Sequence, residues 1–209
     1  MRRSAMVLVG AAVVFLGGCF LFNSGILYDE TWSDPNTTSW TVGDSEIATK
    51  SIDAGRYHVR VKQATTAMYW NDDEGPFGDA QIDLDVKHEA GTDNLSAGGL
   101  VFRLSDIDNL YIFQVSSAGT FRVGKWVADA WSLLVAWTAS DAINTGVAEN
   151  HLTVLADGTA LTFLINGTEV AEVTDSSFST GRVGVSVQAF NADVDVEGSF
   201  DNLVVRELE

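Results

Sequence analysis

The chain has 209 residues, of which 29 are acidic and 12 are lysine or arginine, and its formal net charge is -17. A chain this acidic repels nucleic acid and anionic lipid, since phosphate binding needs clustered basic side chains, so we expect no nucleic-acid partner. Nineteen glycines, eleven phenylalanines and six tryptophans, against two prolines, are typical of a turn-rich β protein rather than of a disordered acidic tail.

The N-terminus has the features of a bacterial export signal. Met1-Arg2-Arg3 is a basic start, and residues 5–15 form an apolar core of the length that secretory signals use. Leu16-Gly17-Gly18-Cys19 resembles the lipobox, whose cysteine becomes the lipid-bearing first residue. We therefore predict a signal peptide over residues 1–18, a lipidated Cys19 with a tether over residues 19–27, and one domain over residues 28–209.

An uncleaved anchor is the alternative reading of the same segment. Residues 5–22 carry no charge, and these 18 residues are just long enough to span a bilayer as a helix. Both readings place the domain outside the cytoplasm, and no second cysteine exists to pair with Cys19. Phe20 rather than aspartate follows Cys19, which by analogy with enterobacterial sorting favours the outer membrane or cell surface.

Beyond the tether, apolar residues recur with a period of two, as half-buried strands require. Within residues 81–86, for example, Ile82, Leu84 and Val86 share one face. The same alternation predicts an inward-facing set of Leu100, Phe102, Leu104, Tyr111, Phe113, Val115, Phe121 and Val123. It predicts an outward-facing set of Val101, Arg103, Ile112, Gln114, Arg122, Gly124 and Trp126.

Turn signals separate these strands. Asp157-Gly158 and Asn166-Gly167 tolerate the positive φ angles of type I′ turns, which predicts a three-stranded meander over residues 152–173. Strands over residues 181–190 and 194–205 follow, and no helix is predicted beyond the leader except one short turn at residues 129–134 or 140–143. About a dozen strands at this spacing predict an all-β fold, a two-sheet antiparallel jelly-roll sandwich.

A family resemblance is carried by four segments: GGLVFRLSDIDNLYIFQVSSAGTFRVGKW, NHLTVLADGTALTFLINGTEVAEVTD, GRVGVSVQAF and FDNLVV. Together they resemble the concanavalin A-like lectin/glucanase superfamily, and within it the bacterial 3-keto-disaccharide hydrolase-like or, loosely, family 16 glycoside hydrolase-like domains. The resemblance covers residues 28–205 and implies a curved sandwich whose concave face commonly meets sugar. It specifies the fold better than the function, because this fold hosts lectins, hydrolases and structural modules.

Catalysis by a family 16 mechanism has little support in the sequence. Those hydrolases carry Glu-x-Asp-x-x-Glu on one strand, which supplies a nucleophile and a general acid. The nearest match is Asp83-Leu84-Asp85-Val86-Lys87-His88, which lacks both glutamates. Asp83 and Asp85 are therefore weak catalytic candidates, and the alternative is two solvated carboxylates on the polar face of a strand. No defined motif for a keto-sugar hydrolase can be matched to these positions.

A sugar-binding face is the main candidate site. Sugars are held by aromatic faces and by planar polar side chains that hydrogen-bond hydroxyl groups. The outward alternation predicts that such residues meet on one outer face: Arg103, Gln114, Arg122, Trp126 and Gln188. The alternative is that Arg122 and Trp126 simply stack on each other and cover the sheet.

A second candidate is the acidic loop at residues 69–74, which begins with Tyr69 and Trp70. The two aromatic side chains could form the rim of a ligand site, or they could pack into the core beside an acidic turn. Trp131 and Trp137 lie in a segment rich in leucine and alanine, so we predict that both are buried rather than facing a ligand.

Calcium is the cofactor that the sequence allows. Hard oxygen ligands would converge if the first and last strands lie side by side, and they would come from Asp29, Glu30, Asp34, Asp201 and Asn202. The alternative is that Asp201 and Asn202 only make side-chain hydrogen bonds to nearby backbone, as such residues do at bends.

Three functions remain open from the sequence. The first is a membrane-anchored, non-catalytic envelope lipoprotein that binds carbohydrate or another envelope polymer, weakly, through a shallow sheet face. The second is a glycoside-cleaving enzyme that uses carboxylates in the same concave face. The third is a structural or protein-interaction module.

Overall fold

The computed structural model describes residues 25–90, 96–191 and 195–208. The predicted signal peptide and Cys19 lie outside these residues. Within them, no helix is long and apolar enough to cross a membrane.

The described residues form fifteen strands. Their bounds in chain order are β1 Ile26–Glu30, β2 Gly43–Asp44, β3 Ala48–Asp53, β4 Arg56–Val61, β5 Thr66–Trp70, β6 Ala80–Ala90, β7 Ser96–Asp106, β8 Asn109–Ser116, β9 Thr120–Val127, β10 Ala130–Ala139, β11 Asn150–Asp157, β12 Ala160–Ile165, β13 Thr168–Thr174, β14 Arg182–Ala189 and β15 Val196–Arg206. The first strand begins at Ile26, inside the segment expected to be a tether.

The strands form two antiparallel sheets. The nine-stranded sheet has the order β13-β12-β11-β6-β15-β4-β3-β2, with β1 also paired to β15. The six-stranded sheet has the order β10-β9-β8-β7-β14-β5. Six of the thirteen neighbouring pairs of described strands join strands that are not consecutive in sequence, as in a sandwich whose strands cross between layers. The predicted all-β, two-sheet antiparallel sandwich is confirmed.

The main core fills the space between the sheets. Ile82, Leu84 and Val86 are buried there from β6, as the alternation predicts. The Phe163 ring, from the nine-stranded sheet, lies 5.0 Å from Phe113 and 6.1 Å from Phe102, both of the six-stranded sheet. Aromatic pairs of this kind add to the burial energy of their rings, so they help to hold the two layers together.

The hairpins of the meander are formed as predicted, with one difference in turn type. Asn166 and Gly167 both have positive φ, 50° and 78°, which is the pattern of a type I′ turn. In the β11–β12 hairpin, Asp157 pairs with Ala160, and positive φ falls on the first loop residue, Gly158. This is the type II′ pattern rather than type I′. Of the two segments offered for one short turn, residues 129–134 are mostly covered by β10, whereas residues 140–143 form a turn in which the Ile143 amide donates to the Ser140 carbonyl oxygen at 3.3 Å.

A bulge in β7 reverses the predicted alternation at Arg103. Arg103 has a φ of 46°, and the pairing of β7 with β8 shifts between Phe102 and Asp106. One extra residue in a strand exchanges the two faces for everything that follows it. Phe102 therefore faces the main core, whereas Leu104, predicted to point inward, packs with Val101 on the opposite face.

The Arg103 side chain is 2% exposed and takes no part in the outer face. Its Nη1 donates to the backbone carbonyl oxygens of Gly158 at 2.8 Å and Phe178 at 2.9 Å, and its Nη2 pairs with Asp79 at 3.1 Å. These bonds connect β7 to the β11–β12 turn and to the segment before β14. The prediction that Arg103 lies on the outer face beside Trp126 is wrong.

Replacement of Arg103 tests this structural role. Arg103→Ala leaves two backbone carbonyl groups without their donor and removes an ion pair, so we expect the free energy of unfolding to fall by about 3 kcal/mol. Urea denaturation measures the change. The control is Arg60→Ala, which removes an exposed pair with Asp195 and should cost less than about 1 kcal/mol. Equal losses in the two variants would contradict the structural role of Arg103.

Candidate functional site

The outer face of the six-stranded sheet carries a polar row that crosses four strands. The pairing registers place Arg122 opposite Gln114, Gln114 opposite Gly99, and Gly99 opposite Ser186. Gln188 lies two residues beyond Ser186 on β14, on the same face of the strand. Adjacent strands, not adjacent residues, therefore bring Arg122, Gln114 and Gln188 together.

Hydrogen bonds join these side chains into a network. Arg122 Nε and Nη2 donate to Gln114 Oε1 at 2.9 Å and 2.7 Å, and Nη2 also donates to Gln188 Oε1. Gln114 Nε2 in turn donates to Ser186 Oγ at 3.2 Å. Gln114 is fully buried, so its amide orientation is set by these partners. The structure thus brings together three of the five residues predicted for the outer face and orients them.

Tryptophans surround the network. The Arg122 guanidinium lies 4.9 Å from the ring of Trp131 and 4.8 Å from that of Trp137, both within cation–π distance. The Trp126 ring is 5.7 Å from Trp131. Trp126, the fourth predicted residue on this face, thus packs against another indole, and the rings over Arg122 are those of Trp131 and Trp137.

Trp131 and Trp137 are residues that sequence reasoning missed. Both were predicted to be buried, but Trp131 is only half-buried and Trp137 is 36% exposed. They belong to β10, the edge strand beside β9. The signal that could have identified Trp131 is Gly124, which lies between Arg122 and Trp126 on the outer face. A Cβ atom there would lie 2.1 Å from the Trp131 ring, so the missing side chain makes room for that ring.

Three adjoining cavities mark this face, and we call the surface they form the Arg122 groove. The central cavity, of about 240 Å³, is lined by Thr66, Ile112, Arg122, Trp126, Trp131 and Gln188. A second, of about 400 Å³, shares Thr66, Trp126 and Gln188 with it and extends to Ile107, Asp108 and Asp129. A third, of about 350 Å³, is lined by Ser116, Thr120, Trp137 and Phe190.

The floor of the groove is apolar rather than solvated. A second hydrophobic cluster on this face consists of Val101, Leu104, Leu110 and Ile112, with Met68, Trp70, Trp126 and Trp131 packed against it. Burial lowers the pKa of the Arg122 guanidinium to about 10, so this group stays protonated at neutral pH. The arrangement presents indole faces, the Gln188 amide and one cation to a ligand.

The second predicted site does not form. Tyr69 and Trp70 are consecutive residues of β5, so their side chains point to opposite faces of the sheet. Tyr69 packs against the main core and Trp70 against the second cluster, where its Nε1 donates to Asp72 at 2.5 Å. The two aromatic side chains therefore pack into the protein, and neither lines the central cavity of the groove.

The strands that carry four of the five predicted calcium ligands are adjacent, but Glu30, Asp34, Asp201 and Asn202 already have side-chain hydrogen-bond partners. β1 and β15 are adjacent, with Asp29 opposite Val204 and Glu30 opposite Leu203. Glu30 accepts hydrogen bonds from the Trp32 amide and the Thr38 hydroxyl. Asp34 accepts from Asn36, and Asp201 accepts from the Asn202 amide. In the described residues, no group of three or more histidine, cysteine or acidic side chains is positioned to hold a metal ion.

Asp83 and Asp85 lie on the outer face of the other sheet. Both belong to β6, and His151 lies close to both, with Nδ1 2.6 Å from Asp85 and Nε2 3.3 Å from Asp83. Thr153 donates to Asp83 at 2.7 Å, and Asn202 donates to Asp85 at 2.7 Å. The interpretation that these carboxylates share a concave face with the sugar-binding residues is wrong, because the two groups lie on different sheets.

The contacts in this cluster favour charged carboxylates at Asp83 and Asp85 and a protonated imidazole at His151. Burial opposes ionisation of Asp83 and Asp85, but hydrogen bonds, first of all from His151, lower the pKa of both carboxyl groups. Hydrogen bonds to Asp83 and Asp85 raise the pKa of His151 to about 10. An imidazole that stays protonated at neutral pH does not serve as a general base. The contacts of His151 with Asp83 and Asp85 are therefore those of a structural ion pair.

Solved structures share this architecture. The carbohydrate-binding module CBM66 from Bacillus subtilis matches with a TM-score of 0.66 and 21% identity, covering 82% of this chain and 98% of that one. A prokaryotic β-1,3-1,4-glucanase (lichenase) derived from a mouse hindgut metagenome matches with a TM-score of 0.62 and 10% identity, covering 87% and 99%. A Bacillus subtilis protein of unknown function with a galectin-like fold matches with a TM-score of 0.61 and 14% identity, covering 88% and 96%.

These similarities establish the fold. The chain has the concanavalin A-like lectin/glucanase fold, shared by carbohydrate-binding modules and glycoside hydrolases, and that part of the predicted resemblance is confirmed. No protein-family model and no curated protein matches the sequence.

The fit of Trp131 over Gly124 can be tested by adding one methyl group. Gly124→Ala should displace the Trp131 ring and lower the free energy of unfolding by about 1–3 kcal/mol, because a packed ring has nowhere to go without strain. Near-ultraviolet circular dichroism and urea denaturation report the two effects. Gly78→Ala is the matched control, since the new Cβ would meet only an ordinary contact at 3.9 Å. An unchanged tryptophan spectrum in Gly124→Ala would contradict the packing.

The charged cluster on the other sheet predicts a specific pH dependence. The folded-state pKa of His151, about 10, lies above its unfolded value of 6.5, so its stabilising effect is full below pH 6.5 and is lost as pH rises towards 10. Because the side chain is 44% exposed, screening should limit the effect to about 1 kcal/mol. Urea denaturation of the wild type and of His151→Gln should give a stability difference that shrinks by that amount between pH 6 and pH 10. A pH-independent difference would refute this.

Proposed function

We propose that the protein is a non-catalytic lipoprotein of the bacterial envelope that binds carbohydrate through the Arg122 groove. The observation that carries this proposal is the grouping of three tryptophan side chains beside the hydrogen-bonded Arg122 network. Trp131 and Trp137 lie against the Arg122 guanidinium, and Trp126 packs against Trp131. Indole faces pack against the C–H surfaces of sugars, while amide and guanidinium groups bond to sugar hydroxyls. Both kinds of group occur here on one accessible sheet face.

The network is ordered before any ligand arrives. Gln114 is held by Arg122 on one side and by Ser186 on the other, and Gln188 is held by Arg122. A site whose side chains are already oriented loses less entropy on binding. The similarity in fold to a carbohydrate-binding module supports the proposal.

Binding should be weak. The central cavity, at about 240 Å³, is smaller than the pockets of about 300–1,000 Å³ that enclose most of a small ligand. A sugar on this face stays partly in water and buries little of its surface. Weak individual contacts suit a module that holds a polymer, because several sugar units, or several copies of the protein, can bind at once.

The proposed location in the cell envelope rests on the predicted signal peptide and lipobox. The export signal and lipobox predict that a lipid on Cys19 anchors the domain to the outer membrane or cell surface. Six residues, 20–25, separate Cys19 from the start of β1 at Ile26. At full extension they would span about 20 Å, so the domain would stay close to the membrane and to polymers held there.

A glycoside-cleaving activity has weaker support. Glycoside hydrolysis needs two carboxyl groups on either side of the bond that is cut. The described residues that line the central cavity include no carboxylate, and the two in the groove, Asp108 and Asp129, line only the cavity next to it. Asp83 and Asp85 are engaged with His151 on the other sheet. The groove therefore favours binding over cleavage.

A glycan panel tests the proposal. The full-length chain, kept in a non-glycosidic detergent, should retain at least one glycan, and Trp126→Ala should weaken that binding about 10-fold or more through loss of ring stacking. Trp137→Ala, which removes a more exposed ring, should weaken binding without a large loss of stability. Arg60→Ala, on the other sheet, should bind as the wild type does.

Retention of no glycan, or unchanged binding in both tryptophan variants, would refute carbohydrate binding through this groove. Circular dichroism and thermal denaturation of each variant separate loss of the site from loss of the fold.

A further inference from the structure

Arg122 differs from the other arginines of the described chain in having no acidic partner. Five of the six described arginines have a carboxylate oxygen within ion-pair distance. These pairs are Arg56 with Glu149, Arg60 with Asp195, Arg103 with Asp79, Arg182 with Asp72 and Arg206 with Asp83. Arg122 has only the amide oxygens of Gln114 and Gln188 as acceptors in the described residues. In a chain with 29 acidic residues, a half-buried arginine without one is unusual.

The Arg122 guanidinium also has one nitrogen, Nη1, that makes no hydrogen bond to the described residues. Nε and Nη2 of Arg122 are engaged with the two glutamines, whereas Nη1 has no hydrogen-bond partner in the described part of the chain. Removing a cation from water is costly unless an opposite charge compensates. The indoles of Trp131 and Trp137 offset only part of that cost. Arg122 is therefore prepared for an anion that the chain itself does not supply.

The surroundings of Arg122 do not repel such an anion. Among the described residues that line the central cavity and the cavity beside Trp137, Arg122 is the only charged one. Asp108 and Asp129 line the neighbouring cavity, which shares Thr66, Trp126 and Gln188 with the central one but does not include Arg122. At physiological ionic strength, solvent-exposed charges more than about 8 Å from the cavity are largely screened, so most of the net charge of the chain acts only weakly on a ligand there.

We infer that the carbohydrate ligand carries an anionic group, a uronic acid carboxylate or a sulfate ester, that binds Nη1 of Arg122 in the central cavity. The inference rests on the proposed function and narrows its ligand to acidic glycans. The sugar ring would pack on Trp126 or Trp131 while its anionic group supplies the missing counter-charge. A neutral sugar would need only a neutral amide at this position, which costs less to bury than a guanidinium.

Matched pairs of glycans test the inference on the full-length chain in a non-glycosidic detergent. One pair is oligogalacturonate and its methyl ester, and the other is a sulfated carrageenan oligosaccharide and its desulfated form. Dissociation constants are measured by tryptophan fluorescence. The wild type should prefer the acidic member of at least one pair by about 10-fold or more, the strength expected of a charge-assisted hydrogen bond. The pair that shows the preference identifies the group as carboxylate or sulfate.

Substitutions at Arg122 complete the test. Arg122→Gln should bring the acid-to-neutral ratio close to one, and Arg122→Lys, which keeps the charge, should retain part of the preference. Arg60→Gln, an exposed arginine on the other sheet, should leave the ratio unchanged. Because the readout is a ratio of two ligands on one sample, a reduced folded fraction in a variant cancels.

The outcomes separate the two proposals. If both members of each pair bind equally well and Arg122→Gln weakens both alike, Arg122 serves only as a hydrogen-bond donor, and the anionic ligand is refuted while carbohydrate binding stands. If no glycan of either kind binds, the proposed function itself fails, and the inference fails with it.

Discussion

The hydrogen bonds between Arg122 and the amide oxygens of Gln114 and Gln188 are the interaction on which the groove depends. They tie β9, β8 and β14 together across the outer face. They also fix the plane over which Trp131 and Trp137 lie. Without the guanidinium, two glutamines would lose a donor and two indoles would lose their cation. A side chain with five donors in one plane is suited to hold such a cluster, whereas a lysine would supply charge without the geometry.

The sequence predicted which residues of a regular strand face the core, but it did not predict where a strand is interrupted by a bulge. Period-two alternation correctly separated the core residues Ile82, Leu84 and Val86 from Asp83 and Asp85. The bulge at Arg103 could not be predicted this way, because its cause is distant in sequence. At the bulge, the backbone of Arg103 lies close to the backbone of Gly181. A Cβ atom at Gly181 would lie 2.3 Å from the Arg103 carbonyl carbon, so this approach is possible only because residue 181 has no side chain.

The site was predicted where strand alternation continued without interruption. Gln114, Arg122 and Trp126 occupy regular positions of β8 and β9, and their shared face followed directly. Trp131 and Trp137 were missed because β10 pairs with β9 through two irregular registers, which alternation within one strand cannot reveal. Likewise, alternation placed Asp83 and Asp85 on an outer face but could not say which sheet they belonged to.

The Arg122 groove and the outer face of the nine-stranded sheet use charge in opposite ways. On the nine-stranded sheet, Asp83 and Asp85 meet His151, and Arg56 meets Glu149, so charges are matched within the chain. On the six-stranded sheet, Arg122 is surrounded by amides and indoles, and the cost of burying it is only partly offset. A matched face gains nothing electrostatically from a charged ligand, whereas an unmatched cation gains a partner. The difference in charge pairing, more than the shape of the sandwich, distinguishes the groove that we propose binds carbohydrate from the ion-pair cluster on the other sheet.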